Sequence, residues 1–205
     1  DRDTGTVITG NFSMAQPVVK FPSGIDATTV LSGVQVTGGG NHDIFASLNG
    51  GGISINGASP TIMNTWVNSN TAQSGGGVYV NGGSPTFNNV PASSNYAANG
   101  GGFYLINSPQ VTITSDYAGT NGMVLWNSAY GYGGGLYLYG ITATISGLRI
   151  WGNTGSGVWM DSSGSSRIQF WLNDVWANSA PYAGGIYVGS ITDLDITGNL
   201  IRQNS

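Results

Sequence analysis

The 205-residue sequence contains no cysteine and no glutamate, and its only histidine is His42. The lack of cysteine excludes disulfides and thiolate metal sites. Without glutamate, the nine aspartates are the only side-chain carboxylates. Glycoside hydrolysis needs a pair of carboxylates at a defined separation, so the supply for such chemistry is small. We predict that the chain has no metal site and no cofactor.

Positive charge is also scarce. The net charge is −4, and the five cationic residues are scattered along the chain as Arg2, Lys20, Arg149, Arg167 and Arg202. Nucleic-acid binding depends on clustered cations, so we expect no nucleic-acid partner. No apolar run approaches the ~18 residues that span a bilayer, which predicts no membrane span. No signal peptide is visible, and we interpret the chain as a mature or excised segment.

Glycine is abundant, and it recurs in similar short words. The 35 glycines cluster in "GGGISI" (50–55), "GGGVYV" (75–80), "GGGFYL" (100–105), "GGGLYL" (133–138), "GSGVWM" (155–160) and "AGGIYV" (183–188). The alternation within these words is typical of short strands, and helical periodicity is absent. Strands that recur at a period near ~25 residues, separated by glycine corners, indicate a parallel β-solenoid.

A repeated offset between apolar residues and asparagines supports this interpretation. Taking the apolar residue after each turn as an anchor gives Ile8, Leu31, Ile62, Phe87, Ile113, Ile145, Phe170 and Ile196. The eighth residue after each of the last six anchors is Asn70, Asn95, Asn121, Asn153, Asn178 or Asn204. The fifth is Val67, Ala92, Ala118, Ile150, Val175 or Ile201. A constant offset despite unequal gaps predicts stacked coils with a structural asparagine ladder that requires no ligand.

The pattern therefore predicts an all-β fold, a parallel β-helix of about eight coils, with residues 1–205 as a single domain. Side chains alternate along a strand, so the two valines of "GVYV" point inward and Tyr79 points outward. The predicted inward pairs are Ile53/Ile55, Val78/Val80, Phe103/Leu105, Leu136/Leu138, Val158/Met160 and Ile186/Val188.

The outward positions between these pairs form a file of aromatic residues. After Ser54, the file contains Tyr79, Tyr104, Tyr137, Trp159 and Tyr187, one in each successive coil. One interpretation is a stacked ladder that stiffens the solenoid. The other is a contact surface for sugar rings or a partner, since contiguous exposed apolar area usually marks a contact site. A smaller pair, Trp151 and Trp176, shares a column on adjacent coils.

The words "GGGVYV…SPTFNNV" and their copies resemble the repeats of right-handed parallel β-helix proteins with the pectin-lyase-like fold. They are especially similar to Gly-Gly-Gly-Ile-Tyr-Val repeats of bacterial surface proteins and to repeats of polymorphic outer-membrane proteins. The resemblance covers roughly residues 25 to 205 and implies a right-handed helix. It implies little about activity, because the fold hosts lyases, hydrolases, adhesins and inert stalks.

Few residues suggest chemistry. Asp193 and Asp195 form the one close carboxylate pair, and we find no cation at a matching position in the preceding coil. Asp174 and Arg149 fall in one outward column, which we interpret as a surface ion pair. His42, next to Asp43 in a predicted loop, has no serine elbow to activate.

These observations predict a non-catalytic structural or adhesive segment of a secreted or cell-surface protein. It would self-associate or contact a polysaccharide through Tyr79, Tyr104, Tyr137, Trp159 and Tyr187. No cap is recognised at either end, so we expect either a piece of a longer solenoid or end-to-end association. The alternative is a polysaccharide lyase or glycoside hydrolase with the pectin-lyase-like fold.

Overall fold

Successive coils of short parallel strands make up the protein. A computed structural model describes residues 5–116 and 122–205. Within these ranges the only helical element is a 3₁₀ turn, Phe12–Met14. No helix in the described ranges has the length and apolar character needed to cross a bilayer. The prediction of an all-β parallel fold is confirmed.

The strands form four parallel sheets, numbered here in the order in which each coil passes through them. Sheet 1 contains Val30–Ser32, Thr61–Met63, Thr86–Asn88, Val111–Thr114, Thr142–Ser146, Arg167–Trp171 and Asp193–Thr197. Sheet 2 contains Val7–Thr9, Gln35–Thr37, Trp66–Asn68, Ala92–Ser93, Met123–Leu125, Arg149–Trp151, Asp174–Trp176 and Leu200–Arg202. The short sheet 3 contains Thr71–Ser74, Tyr96–Asn99 and Ser128–Ala129. Sheet 4 contains Val19–Phe21, Ile53–Asn56, Val78–Asn81, Phe103–Ile106, Leu136–Tyr139, Val158–Asp161 and Ile186–Val188.

Inward side chains from sheets 1, 2 and 4 pack into a shared apolar core. In sheet 4 the predicted inward pairs lie in register, so that Val78 and Val80 face Phe103 and Leu105 in the next coil. Each large aliphatic side chain buried in this way contributes roughly 1.5–3 kcal/mol. The pairs are fully buried in the middle of the helix, whereas Ile186 and Val188, in the last strand of sheet 4, are partly exposed.

Seven of the eight predicted anchors share one file of sheet 1. They are Leu31, Ile62, Phe87, Ile113, Ile145, Phe170 and Ile196. The assignment of Ile8 is wrong, because Ile8 pairs with Val36 in sheet 2. Strands of both sheets place an apolar residue before or after threonine, so the local pattern around Ile8 did not distinguish them.

The asparagine ladder is confirmed, with one change of member. Side-chain amides of successive members donate to the next side-chain carbonyl over 2.8–3.1 Å through Asn70, Asn95, Asn127, Asn153, Asn178 and Asn204. Asn127 occupies the place predicted for Asn121, and Val124 occupies that predicted for Ala118. Asn121 and Ala118 themselves lie outside the described residues. The fixed offset failed in this coil because an insertion separates the sheet 1 strand ending at Thr114 from the sheet 2 strand starting at Met123.

Each member of the ladder also bonds the backbone, which explains why asparagine is needed there. The Asn127 amide donates to the Ala92 carbonyl over 2.9 Å, and its side-chain oxygen accepts from the Asn95 backbone N–H over 3.1 Å. The interior members of the ladder are buried. Since a buried unpaired polar group costs roughly 1–3 kcal/mol, the ladder stabilises the corner between sheets 2 and 3.

Candidate functional site

The predicted aromatic file lies on the outer side of sheet 4, in register from coil to coil. The Tyr79 and Tyr104 rings stack with centroids 5.7 Å apart, and the Tyr104 and Tyr137 rings with centroids 4.6 Å apart. Farther along, Trp159 and Tyr187 stack at 3.6 Å. The interplanar angles of these pairs are 4–11°, so the rings lie face to face along the helix axis.

The glycine words form sharp turns directly before the strands of sheet 4. Gly100 has a φ of +63°, and a Cβ built on it would lie 2.6 Å from the Tyr104 Cβ and 2.8 Å from the Phe103 carbonyl oxygen. The chain therefore turns sharply across the base of the ring that follows it, which a residue with a side chain cannot do without displacing it. The same contact occurs at Gly50, where an added Cβ would lie 2.8 Å from the Cβ of Ser54, so the glycine is required by the sharp turn and not by an aromatic ring.

Despite pointing outward, the file is largely covered. Tyr79 is only 5% exposed and Trp159 only 9%. Tyr104, Tyr137 and Tyr187 are half-buried. The Tyr104 ring is stacked on both faces, by Tyr79 and Tyr137, which accounts for part of this burial.

Burial also changes the acidity of the phenols. It raises the pKa of Tyr79 and Tyr104 above the usual tyrosine value. The effect is largest at Tyr137, where burial, followed by the nearby Tyr104 and Asp161, raises the pKa to about 12. The phenols of Tyr79, Tyr104 and Tyr137 are therefore neutral hydrogen-bonding groups at ordinary pH.

The acidic pair on sheet 1 differs from its prediction. Asp193 and Asp195 are both exposed. The expectation that no cation matches them is wrong, because Arg167 lies opposite Asp193 in the preceding strand and its Nε is 3.2 Å from the carboxylate. Arg167 lies three residues before its anchor, as Asp193 does, so the match was available from the sequence. Both side chains are well exposed, which makes the ion pair weak.

The second predicted charge pair is less exposed than expected. Arg149 and Asp174 are register partners, as predicted. Asp174, however, is only 6% exposed, and Arg202 donates to its Oδ2 over 3.0 Å. Its Oδ1 is buried and has no hydrogen-bond partner. The description of this group as a surface pair was therefore wrong.

The sequence contains a single histidine and was predicted to lack a metal site. His42 is exposed, and its ring lies 5.2 Å from that of Phe12. Among residues 5–116 and 122–205, no three histidine or aspartate side chains gather in a group that could hold a metal ion.

Sequence reasoning missed most of a second aromatic surface. We call it the tryptophan face, and define it as the outer side of sheet 2 with the corners on either side of that sheet. It carries five of the six tryptophans, namely Trp66, Trp126, Trp151, Trp171 and Trp176. Trp151 and Trp176, the predicted pair, stack with centroids 4.8 Å apart, and Arg202 lies 5.0 Å from the Trp176 ring centroid. The other three follow no constant offset from their anchors, which hid them in the sequence.

Comparison with known proteins agrees with the architecture. No curated protein and no solved structure gives a significant match to the chain. The family model described as "Right handed beta helix region" matches residues 51–205. This range includes the asparagine ladder, the aromatic file and the tryptophan face, and the match covers well over half of the sequence. The chain therefore belongs to the right-handed β-helix family.

Proposed function

We propose that this β-helix is a non-catalytic structural or adhesive segment of a secreted or cell-surface protein. The observation that carries the proposal is the aromatic file itself, whose register-matched rings run along sheet 4. Stacked rings contribute roughly 0.5–1.5 kcal/mol per pair beyond their burial, so the file stiffens the wall of the helix. The half-buried rings of Tyr104, Tyr137 and Tyr187 provide the contact surface for a polysaccharide or a second copy.

The proposal is tested by incubating the chain with insoluble cellulose, chitin and peptidoglycan and measuring the bound fraction. Electron microscopy of the same material tests self-association. We expect binding or filaments without any release of sugar. Replacing Tyr187 by serine removes one ring edge near the end of the file and should reduce the contact, while Tyr182→Ser changes an exposed tyrosine outside it. Equal binding by both variants would count against the file as the contact surface.

A second candidate, cleavage of a polysaccharide, is favoured by one observation. The carboxylate of Asp174 lies between its register partner Arg149 and its ion-pair partner Arg202, and its Oδ1 has no hydrogen-bond partner. A carboxylate beside cations on the outer side of a sheet can serve as a general acid or base in the cleavage of a glycosidic bond. Lyase and hydrolase assays on polygalacturonate, alginate and xylan test this candidate. Activity that disappears in Asp174→Asn would replace the structural proposal.

A further inference from the structure

The rings on the tryptophan face do not form a continuous ladder. In the coil of Ala92 and Ser93, the two outward positions of sheet 2 hold Pro91 and Ser93, whereas the preceding coil has Trp66 and Asn68 there and the following coil has Met123 and Leu125. Trp66 precedes this coil on one side, and the coil of Met123–Leu125 follows on the other. Since neighbouring strands are ~4.8 Å apart, the two flanking coils are about 9.6 Å apart.

This interruption leaves a cavity of about 220 Å³, which we call the slot. It is lined by Trp66, Pro91, Ser93, Met123, Leu125, Trp126 and Trp151. The indole Nε1 of Trp66 donates to the Ser93 hydroxyl over 2.9 Å, and this bond holds the Trp66 ring in place beside Ser93. The Trp126 ring lies 5.1 Å from the Trp151 ring, on the other side. The slot is smaller than the roughly 300–1,000 Å³ of sites for drug-sized ligands, so it suits a single ring.

The backbone at Trp126 adds an independent observation. Trp126 has a φ of +53° and is 57% exposed. A bulky residue in this left-handed region is an outlier that costs roughly 1–2 kcal/mol. The same corner position in other coils is occupied by Gly38, Ser69, Ser94, Gly152, Ala177 and Gln203, all of which also have a positive φ. The left-handed backbone is therefore a property of the corner, and what is specific to this coil is a large, exposed tryptophan side chain beside a cavity.

The next coil is adapted to the same side chain. A Cβ built on Gly152 would lie 2.9 Å from Cδ1 of Trp126, so the absence of a side chain at Gly152 lets the indole lie across that coil. Trp126 therefore packs toward Gly152 and Trp151, away from Ser93. This arrangement keeps the slot open between Trp126 and Trp66.

A second cavity, of about 500 Å³, lies at the corner between sheets 1 and 2. Its lining includes Trp171 and Leu172, with Ser115, Asp116 and Ser146 as polar groups. Leu172 has the same peculiarity as Trp126, a φ of +54° and an exposed bulky side chain. Its counterparts in other coils are Gly33, Asn64, Asn89, Gly147 and Gly198. Leu200 lines this cavity and Met123 lines the slot, and both belong to the first outward file of sheet 2.

The charges on this side indicate the class of ligand. Arg149 and Arg202 are accompanied by Asp174, and Asp116 lines the second cavity. Two cations and two anions leave no net charge to attract an acidic polymer, whose binding depends on an excess of cations. What remains is a set of indole walls with a few hydroxyl and carboxylate groups. A sugar ring matches them, because its C–H faces are apolar and its rim carries hydroxyls.

We propose that the tryptophan face binds an uncharged polysaccharide chain, with one sugar ring held in the slot and a further part of the chain in the second cavity. Trp66 and Trp126 form the walls for the sugar ring, and Trp171 with Ser146 contacts the chain farther along. This surface is separate from the aromatic file of sheet 4. The proposal therefore goes beyond the contact role proposed for that file, and the two can fail independently.

The test measures affinity for soluble uncharged polysaccharides, namely xyloglucan, galactomannan and laminarin, with polygalacturonate as the acidic comparison. Affinity electrophoresis gives the dissociation constant, and quenching of tryptophan emission reports contact with the face. The unmodified chain should bind at least one uncharged polymer, with a change in tryptophan emission. It should bind polygalacturonate more weakly than that polymer.

Three substitutions locate the site. Trp126→Ser introduces the residue found at positions 69 and 94, and should weaken binding about tenfold. Ser93→Leu introduces the side chain that Leu125 has in the next coil, and should weaken binding similarly by filling the slot. Leu172→Asn, which copies positions 64 and 89, should weaken binding by about twofold to threefold. The matched control is Ala177→Ser, at the corner position of Trp126 but outside both cavities.

Several results would overturn the proposal. One is that Trp126→Ser and Ser93→Leu bind with unchanged affinity, although thermal unfolding shows that both variants are folded. Binding to none of the uncharged polymers is another, and preferential binding to polygalacturonate is a third. If binding is lost in Tyr187→Ser and kept in Trp126→Ser, the polysaccharide contacts sheet 4 instead, and only the function proposed for the aromatic file stands.

Discussion

Sheets 2 and 4 both carry aromatic side chains on their outer surfaces. These side chains are largely covered on sheet 4, whereas on sheet 2 they border an open cavity. On sheet 4 the file has one aromatic residue per coil from Tyr79 to Tyr187, and glycine turns cross its base. On sheet 2, Trp66 and Trp151 lie in different outward files three coils apart, and Trp126 extends from a left-handed corner. The stacked rings of Tyr79, Tyr104 and Tyr137 cover one another and become part of the wall. The separated tryptophans of sheet 2 border a cavity that is open to a ligand.

The largest effect should come from the glycines that cross the sheet 4 file. Gly100→Ala combines the cost of a left-handed residue with a contact at 2.6 Å, and should lower the free energy of unfolding by about 3 kcal/mol. Gly33→Ala is the control, since its φ is +68° and nothing lies within 4 Å of the added Cβ. It should cost about 1 kcal/mol. Equal losses in urea unfolding would mean that the close approach of the chain to the Tyr104 Cβ is not the reason for glycine at position 100.

Removing one ring from the continuous file should be the next most costly change. Tyr104→Ala loses stacked contacts with both Tyr79 and Tyr137 and part of the burial of a large side chain. We expect a loss of about 2–3 kcal/mol in the free energy of unfolding. Tyr182→Ala, at a tyrosine that is exposed, should change it by less than about 0.5 kcal/mol. A Tyr104 variant as stable as the control would contradict the structural role of the file.

Alkali should act on the sheet 4 file through Tyr137. Its pKa is raised to about 12 in the folded protein, above the value of ~10 for an exposed tyrosine. The folded state therefore holds this proton where the unfolded state has lost it. The resulting stability is fully present below pH ~10 and is lost as the pH rises toward ~12. The urea midpoint should fall less between about pH 9 and pH 11 in Tyr137→Phe than in the unmodified chain, and a parallel decline in both would show that another group is responsible.

The smallest effect on stability is expected on the tryptophan face. Trp126→Ser removes a contact between an exposed side chain and Trp151, and it leaves a left-handed backbone that serine also adopts at positions 69 and 94. The free energy of unfolding should therefore fall by no more than about 1 kcal/mol. A loss as large as that of Tyr104→Ala would make Trp126 a structural residue, and the contrast between the two sheets would disappear.

Much of the fold could be predicted because stacking repeats a local pattern. The inward pairs of sheet 4, the shared file of seven anchors and five of the six predicted ladder asparagines follow from fixed offsets along the chain. The prediction failed at Asn127, where an insertion changes the offset while the register in space is preserved. A constant spacing in the sequence therefore indicates hydrogen-bonded register only where no insertion lies between the two positions.

The sites were less predictable than the fold. The sequence placed Tyr79 in an outward file, but its low exposure depends on Tyr104 in the next coil and on the glycine turn. Trp126 gave no signal, because its importance depends on its exposure beside the slot and on the small side chain of Ser93 in the preceding coil. The role of the aromatic file as a contact surface stays a prediction.

The sequence alone determined that the chain winds into a parallel β-helix and which side of each strand in sheet 4 faces the core. Alternation along a strand and the recurrence of glycine and asparagine are local properties, and every coil repeats them. The tertiary structure alone decided which aromatic residues are covered and where a cavity opens. Those properties depend on what the coils above and below place beside each ring, and residues about 25 or more positions apart become neighbours only when the helix is wound.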